Sequence, residues 1–454
     1  MKKILAFILL ITSFTQAQQT ITGTMTPAIE SDWVILYKIE GARQNFINNA
    51  TIKVDSVFVY SKKRTVGNFS FQLPKDAKPG AYRVTYRTEG NGFVDFIFNK
   101  EDVSFAFHPD YPEQSLVFSK SKENILYRDY LSDMSIAQKK LDSLQISTLK
   151  NSNVDLKTAY TSQLKKVNAI QQEYLKTSEN KYVQPLIKAT LRANPKELQT
   201  TPKTYMSNMV NTFFNNIDFS DKTLLNSSFL VDRITDYIFY INYSENRETQ
   251  QKLYKKSIQT VLNKTTDLPF KKDVIEFLIA QFENSMNIEI LDYLFEKQYK
   301  KLPEGLQNKK FIEEKKTLFA AEVGRIAPDF SWKENGKNFK LSTLNEAKNY
   351  VLVFWSTGCS HCLKEIPKLH TFLQNKKDIK VVAFSLEKEA YGWESMKATL
   401  PNWHHVLGLN KWQNKIAKTY NIMATPTYLV LDANKKIIAK PQKLLDLKEF
   451  LEKL

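Results

Sequence analysis

Hydrophobic positions change rhythm twice along this chain, dividing it into three textures. From residue 18 to about 118 they come in short, aromatic or β-branched bursts: Val34-Ile35-Leu36-Tyr37, Val57-Phe58-Val59-Tyr60, Phe69/Phe71/Leu73, Tyr82/Val84/Tyr86, Phe93 to Phe98 and Val103/Phe105/Phe107. Several alternate with period two, which puts the apolar side chains on one face of an extended strand. Gly67-Asn68, Pro79-Gly80 and Gly90-Asn91-Gly92 supply turn residues between them. About six short strands at this spacing predict a β-sandwich. Its aromatics are read as core, with a surface platform for carbohydrate or peptide as the alternative.

Between about 120 and 320 glycine almost vanishes and the period lengthens. Tyr127, Leu131, Met134, Leu141 and Leu144 fit one helical face. So do Leu230, Ile234, Tyr237, Ile238 and Ile241, and then Val274, Leu278 and Phe282. Asn194-Pro195, Thr201-Pro202, Leu268-Pro269 and Leu302-Pro303-Glu304-Gly305 break the pattern. The stretch predicts a bundle of about seven to nine helices. It contains no H-E-x-x-H, G-x-S-x-G or phosphate-binding glycine loop. It therefore reads as a scaffold, a dimerisation module or a domain that grips substrate.

From Gly324 strands and helices alternate. Val351-Leu352-Val353-Phe354-Trp355 is a continuous apolar run, read as a buried central strand over 350–355. Ile366, Leu369 and Phe372/Leu373 recur at helical spacing, predicting a helix over 359–373. A strand over 379–385, helical stretches at 391–400 and 412–420, a hairpin of 427–432 and 436–439 turning at Ala433-Asn434, and a closing helix over 444–454 follow. The predicted fold is multidomain α+β. It comprises a leader (1–17), an N-terminal β-sandwich (18–119), an α-helical middle domain (120–322) and a C-terminal α/β domain (323–454).

The chain has two cysteines, Cys359 and Cys362. They stand between the apolar strand and the helix, so Cys359 meets the unpaired N–H groups and positive end of the helix dipole. Both favour thiolate over thiol, and the thiolate is the nucleophile in disulfide exchange. A disulfide closing so small a loop removes little entropy from the unfolded chain, so a structural staple explains the pair poorly.

Strand, Trp355, Cys359-Ser360-His361-Cys362 and helix, followed by Ala424-Thr425-Pro426-Thr427-Tyr428, resemble a thioredoxin-fold domain. With Ala327-Pro328-Asp329-Phe330 upstream and Lys364-Glu365-Ile366-Pro367 after the second cysteine, the pattern resembles the exported TlpA/ResA-type thiol–disulfide oxidoreductases. The resemblance covers roughly the last quarter of the chain. It implies that Cys359 attacks and Cys362 resolves the mixed disulfide. It implies that Pro426 is the cis-proline facing the pair, that Thr425 offers its backbone to an extended substrate, and that Trp355 packs beneath the loop. Glu365 resembles an acidic residue near the active site of such proteins. Val353 stands where cytoplasmic thioredoxins carry a buried Asp, and Gly358 where a Trp is frequent. His361, if protonated, would stabilise the thiolate and make the pair more oxidising; a His here also resembles strongly oxidising relatives. The TlpA/ResA likeness pulls toward reduction, with a membrane electron donor and cytochrome c maturation as the implied setting. Asp55-Ser56, Gly67 to Phe71 and Pro79 to Arg83 resemble the β-domain fused to exported thioredoxin-like proteins.

Charge changes the picture little. Sixty-five Lys and Arg against 48 Asp and Glu give +17, but the lysines are dispersed without an arginine-rich arm. A lysine-rich exported surface is the reading, rather than nucleic-acid binding. Lys2-Lys3, the apolar Ile4 to Ile11 and Thr15-Gln16-Ala17 form a secretory leader expected to be cut after Ala17. No cysteine follows it to take a lipid, and no later apolar run reaches about 18 residues. The mature protein is expected to be soluble, exported and periplasmic. The expected function is electron exchange with thiols or disulfides of exported proteins, reduction favoured, without a soluble cofactor. The alternatives are a non-enzymatic partner-binding module, or copper or zinc delivery using Cys359, Cys362, His404 and His405.

Overall fold

Alternation along the N-terminal strands closes them into two sheets that share one core. In this computed structural model the described residues are 18–454, apart from 60–61, 89, 91 and 152–154. The expected leader and its cleavage site lie outside them. The strands are β1 (Thr20–Met25), β2 (Trp33–Glu40), β3 (Arg43–Thr51), β4 (Lys53–Val59), β5 (Lys62–Gln72), β6 (Gly80–Thr85), β7 (Phe93–Phe98), β8 (Val103–Phe107) and β9 (Val117–Lys120). One sheet has the order β4-β5-β1-β8-β9 and the other β3-β2-β6-β7. Ile21, Phe69, Phe71, Val103 and Phe105 of the first meet Leu36, Tyr82, Val84 and Phe96 of the second in one buried cluster. Most of the aromatics are thus core, while Phe46 and Phe58 stay exposed. The turn expected at Gly67-Asn68 is instead the interior of β5. Gly67 pairs with Met25 on one side and Val54 on the other. A β-carbon there would lie 2.8 Å from Ile52 Cγ2 and 2.9 Å from Met25 Cγ. The glycine serves close packing rather than a turn.

Helices follow, the longest being Lys122–Lys150 and Lys157–Thr177, which pack on each other. Ser121 caps the first, accepting from Asn124 N at 3.2 Å. The Asn124 amide then pairs with both backbone groups of Ile97, accepting at 2.8 Å and donating at 2.6 Å. The buried face of this helix is Tyr130, Met134, Ala137, Gln138, Leu141 and Gln145, which shares Met134 and Leu141 with the predicted one; Leu131 is exposed. Polar partners explain the displacement. Gln145 makes two 2.8 Å bonds with the backbone of Gln199, and Gln138 pairs reciprocally with Asn194. Buried amides that are fully bonded pack as readily as apolar side chains, and hydrophobic periodicity does not see them.

The chain forms two compact units, Met1–Gln281 and Phe282–Leu454. The second carries β10 (Ser331–Glu334), β11 (Lys337–Lys340), β12 (Asn349–Trp355), β13 (Ile379–Glu387), β14 (His404–Leu409), β15 (Thr427–Asp432) and β16 (Ile437–Ala439). Its main sheet has the order β14-β13-β12-β15-β16. Strands β12, β13 and β14 are parallel, and β15 is antiparallel to β12. Alternate residues of β12 enter two different cores: Leu352 and Phe354 one, Val351, Val353 and Trp355 the other. Burial on both faces is why β12 is apolar throughout. The helices Ser360–Leu373 and Leu444–Glu452 cover the Val351 face through Ile366, Leu369, Leu447 and Leu451.

Three local expectations change here. The helix expected over 412–420 is two short pieces, Lys411–Gln413 and Lys415–Thr419, parted at Asn414, which caps the second. The β10–β11 hairpin was not anticipated. His404 and His405, taken as candidate metal ligands or loop residues, lie on β14 and are buried.

Candidate active site

Strand β12 delivers the chain to the site and ends at Trp355, which is fully buried beneath it. Ser356, Thr357 and Gly358 form the lip. Cys359 is then the N-cap of the Ser360–Leu373 helix, with extended backbone, and its sulfur accepts from Cys362 N at 3.1 Å. The two cysteines form a disulfide. Cys359 is half-buried, whereas Cys362 is wholly buried among Trp355, Ile366 and Tyr428. Across from the pair, Thr425–Pro426 is a cis peptide, and the Thr425 carbonyl oxygen lies 3.3 Å from Cys359 Sγ. Cys359, Cys362, Thr425 and Pro426 are thus brought together. His361 is exposed on the first turn of the helix.

Glu365 turns inward and accepts a 2.8 Å hydrogen bond from Tyr428 Oη. Burial, then this carboxylate, push the Tyr428 phenol well above its ordinary range, so it stays a donor. Tyr428 stands directly across the ladder from Val353. The Glu365 carboxylate, on the helix, is thus held by a tyrosine that pairs with Val353 on the neighbouring strand.

Sequence reasoning missed the group that holds the lip. Glu387, at the buried end of β13, accepts from Thr357 N (2.7 Å), Thr357 Oγ1 (2.9 Å), Ser385 Oγ (2.6 Å) and Ser356 Oγ (3.3 Å). A carboxylate buried with four donors fixes the backbone that precedes Cys359. Its signal in the sequence is a Glu closing the apolar run Val381 to Leu386.

The histidines serve elsewhere. His404 faces Glu334 through Nδ1 (3.2 Å) and Glu346 through Nε2 (3.1 Å). His405 Nε2 donates to the Leu400 carbonyl at 2.9 Å, and burial pushes its pKa down. Among the described residues no group of three or more His, Cys, Asp or Glu is arranged to hold a metal ion. No helix among them is long and apolar enough to cross a membrane.

A parallel core sheet, one antiparallel neighbour, a Cys-x-x-Cys at a helix N-terminus and a facing cis-proline define a thioredoxin-like redox domain. Comparison with known proteins agrees. The Redoxin family model matches residues 322–445. The thiol-disulfide oxidoreductase ResA of Bacillus thuringiensis is 25% identical over 139 residues, 29% of this chain and 79% of that protein. The thioredoxin-like protein YneN of Bacillus subtilis is 27% identical over 113 residues, 24% of this chain and 66% of that protein. Among solved structures, the thioredoxin domain of a thiol-disulfide oxidoreductase from Bacteroides vulgatus is 26% identical, covering 29% of this chain and 96% of that one, with a TM-score of 0.27. Over residues 322–445 the chain is thus similar to thioredoxin-like oxidoreductases.

Proposed function

We propose that the protein exchanges electrons with cysteines of exported proteins through Cys359 and Cys362, reducing them in the favoured direction. The asymmetry of the pair carries this reading: one sulfur is half-exposed at a helix N-terminus beside the Thr425 carbonyl, the other wholly buried behind it. In the reduced protein the Cys359 thiolate attacks a partner disulfide. One S–S bond breaks, a mixed disulfide forms, and the departing partner sulfur takes a proton. Cys362 then gives up its proton and attacks Cys359 Sγ. The second partner sulfur leaves and is protonated, and the protein keeps the disulfide. Two electrons pass to the partner, and an electron donor, by resemblance at the membrane, must restore the dithiol.

The remaining side chains take roles around this step. Glu365 receives the Cys362 proton, oriented by Tyr428. The Thr425 backbone and Pro426 receive the extended partner segment, Trp355 forms the floor, and His361 tunes the Cys359 thiolate. Residues 18–119 act as a β-sandwich domain and 120–322 as a helical domain that hold or position the partner. The leader-like pattern of Lys2 to Ala17 supports a periplasmic setting for this chemistry.

The test is turnover of a disulfide-bonded protein substrate by the full mature chain under a thiol donor. Activity lost with Cys359→Ser supports the proposal. Absence of turnover by the unaltered protein contradicts it.

A further inference from the structure

The lip of the site carries a charge that the exchange steps do not use. Gly358 stands where related sites often bear a Trp, and the space is not vacant. A β-carbon at Gly358 would lie 3.5 Å from Lys411 Nζ and 3.7 Å from Ser356 Oγ. Lys411 arrives from the corner between β14 and the Lys415–Thr419 helix. Asn410 (φ 69°) and Lys411 (φ 44°) are consecutive left-handed residues there, a conformation uncommon for a non-glycine residue. Hydrogen bonds fasten the corner. Gln413 N donates to the Asn410 carbonyl (2.9 Å) and Asn414 N to that of Lys411 (3.0 Å). The Asn414 side chain donates to the Leu409 carbonyl (2.9 Å) and accepts from Ile416 N (2.9 Å).

The two carboxylates of the site, Glu387 and Glu365, keep their charge but direct their hydrogen bonds to neutral donors rather than to Lys411. Among the described residues no carboxylate forms an ion pair with Lys411, or with Lys418 on the following helix. Lys418 lines a shallow cavity with Trp412, Ile422 and Met423, immediately before the Ala424–Thr425 turn. A segment approaching Cys359 past Thr425 therefore meets ammonium groups that no salt bridge holds.

We propose that Lys411 determines partner specificity, selecting extended segments that carry Asp or Glu beside the reacting cysteine. This rests on the thiol–disulfide reading above. Charge at an exposed rim acts mainly through encounter and discrimination and fades as salt shortens the Debye length.

The test uses single-cysteine peptides, each blocked as a mixed disulfide with a chromogenic thiol, with Asp, Asn or Lys beside the cysteine. The reduced full chain should release the thiol with kcat/KM in the order Asp, Asn, Lys, spread about tenfold at low salt and compressed at high salt. Lys411→Met should flatten the order and Lys411→Glu invert it. The same order persisting in Lys411→Glu overturns the proposal. A second measurement separates it from the reading it rests on: binding of the same peptides, with Ser for Cys, to the oxidised protein. If no peptide is turned over but binding keeps the charge order and Lys411→Glu inverts it, charge selection stands and the exchange reading falls. Binding without a charge order overturns charge selection.

Discussion

The lip and the floor of the active site are built on opposite principles. The lip, Ser356 to Cys359, is polar and partly exposed beyond Ser356, and a buried carboxylate holds it by three hydrogen bonds, a fourth coming from Ser385 on its own strand. The floor, Trp355, Cys362, Ile366 and Tyr428, is apolar and closed, and its polar contact is the Tyr428–Glu365 bond. Each suits one sulfur. An exposed sulfur on a fixed backbone, at the positive end of a helix, is ready to attack from outside. A sulfur sealed in hydrocarbon stays protonated until a nearby base takes its proton, so it acts second, and from within. The proposed order of the two chemical steps rests on this difference between the two surroundings.

Substitutions can break that comparison one side at a time. The largest effects fall on the sulfurs. Cys359→Ser should abolish exchange, whereas Cys362→Ser should still attack and accumulate a covalent mixed disulfide, visible by mass spectrometry. Accumulation in the Cys359→Ser variant instead would reverse the roles. Next comes the support of the lip. Glu387→Ala strands four donors in a buried place and should cost about 2–4 kcal/mol, at roughly 1–3 kcal/mol for each group left unsatisfied and partial relief from water. Thermal unfolding of the C-terminal unit reads this, and an unchanged midpoint would deny the carboxylate its role. On the floor, Glu365→Gln should slow release of the mixed disulfide by about ten- to a hundredfold. The first attack by Cys359 should keep its rate; equal slowing of both steps would place Glu365 outside proton transfer. Tyr428→Phe removes one buried donor and should cost about 1 kcal/mol, with a smaller loss in the same resolving step.

The smallest effect lies on β14, away from both regions. Burial holds the His405 pKa below its ordinary value of 6.5, so the unfolded chain binds its proton more readily than the folded one. The neutral-histidine contribution is therefore complete above about pH 6.5 and is lost as pH falls from there toward the folded pKa. The loss is about 1.4 kcal/mol for each unit between the two values. Unfolding of the C-terminal unit between pH 7 and 5 should slope less steeply in His405→Gln than in the unaltered protein. Parallel slopes would remove His405 from the pH dependence.

What the chain reveals in advance follows the same division. Strand β12 and the Cys-x-x-Cys helix were legible because burial on both faces makes a strand apolar throughout, and a helix packed on one face repeats its apolar residues every three or four. Glu365 was legible through its place after Cys362, but the tyrosine that holds it was not. The contact joins Glu365 to Tyr428 across 63 positions, and no local spacing encodes that. Glu387 was hidden for the opposite reason: after the largely apolar Val381 to Leu386, a buried Glu looks like the end of the element. The faces read at Leu230 to Ile238 and at Val274, Leu278 and Phe282 are buried as expected, whereas on the Lys122–Lys150 helix Leu131 is exposed and Gln138 and Gln145 are buried, because an apolar count treats glutamine as surface. His404 and His405 looked free to bind metal because the carboxylates that engage His404 come from the β10–β11 hairpin and the segment just before β12.

The most direct measurement is a redox titration of the Cys359/Cys362 pair in the full mature protein, equilibrated against a thiol buffer. The account predicts one reversible two-electron transition with a midpoint near that of thioredoxin, roughly −270 mV. A midpoint near roughly −120 mV would contradict the reductive direction and point to His361 as the tuning group. A pair that never equilibrates with the buffer would contradict the account as a whole.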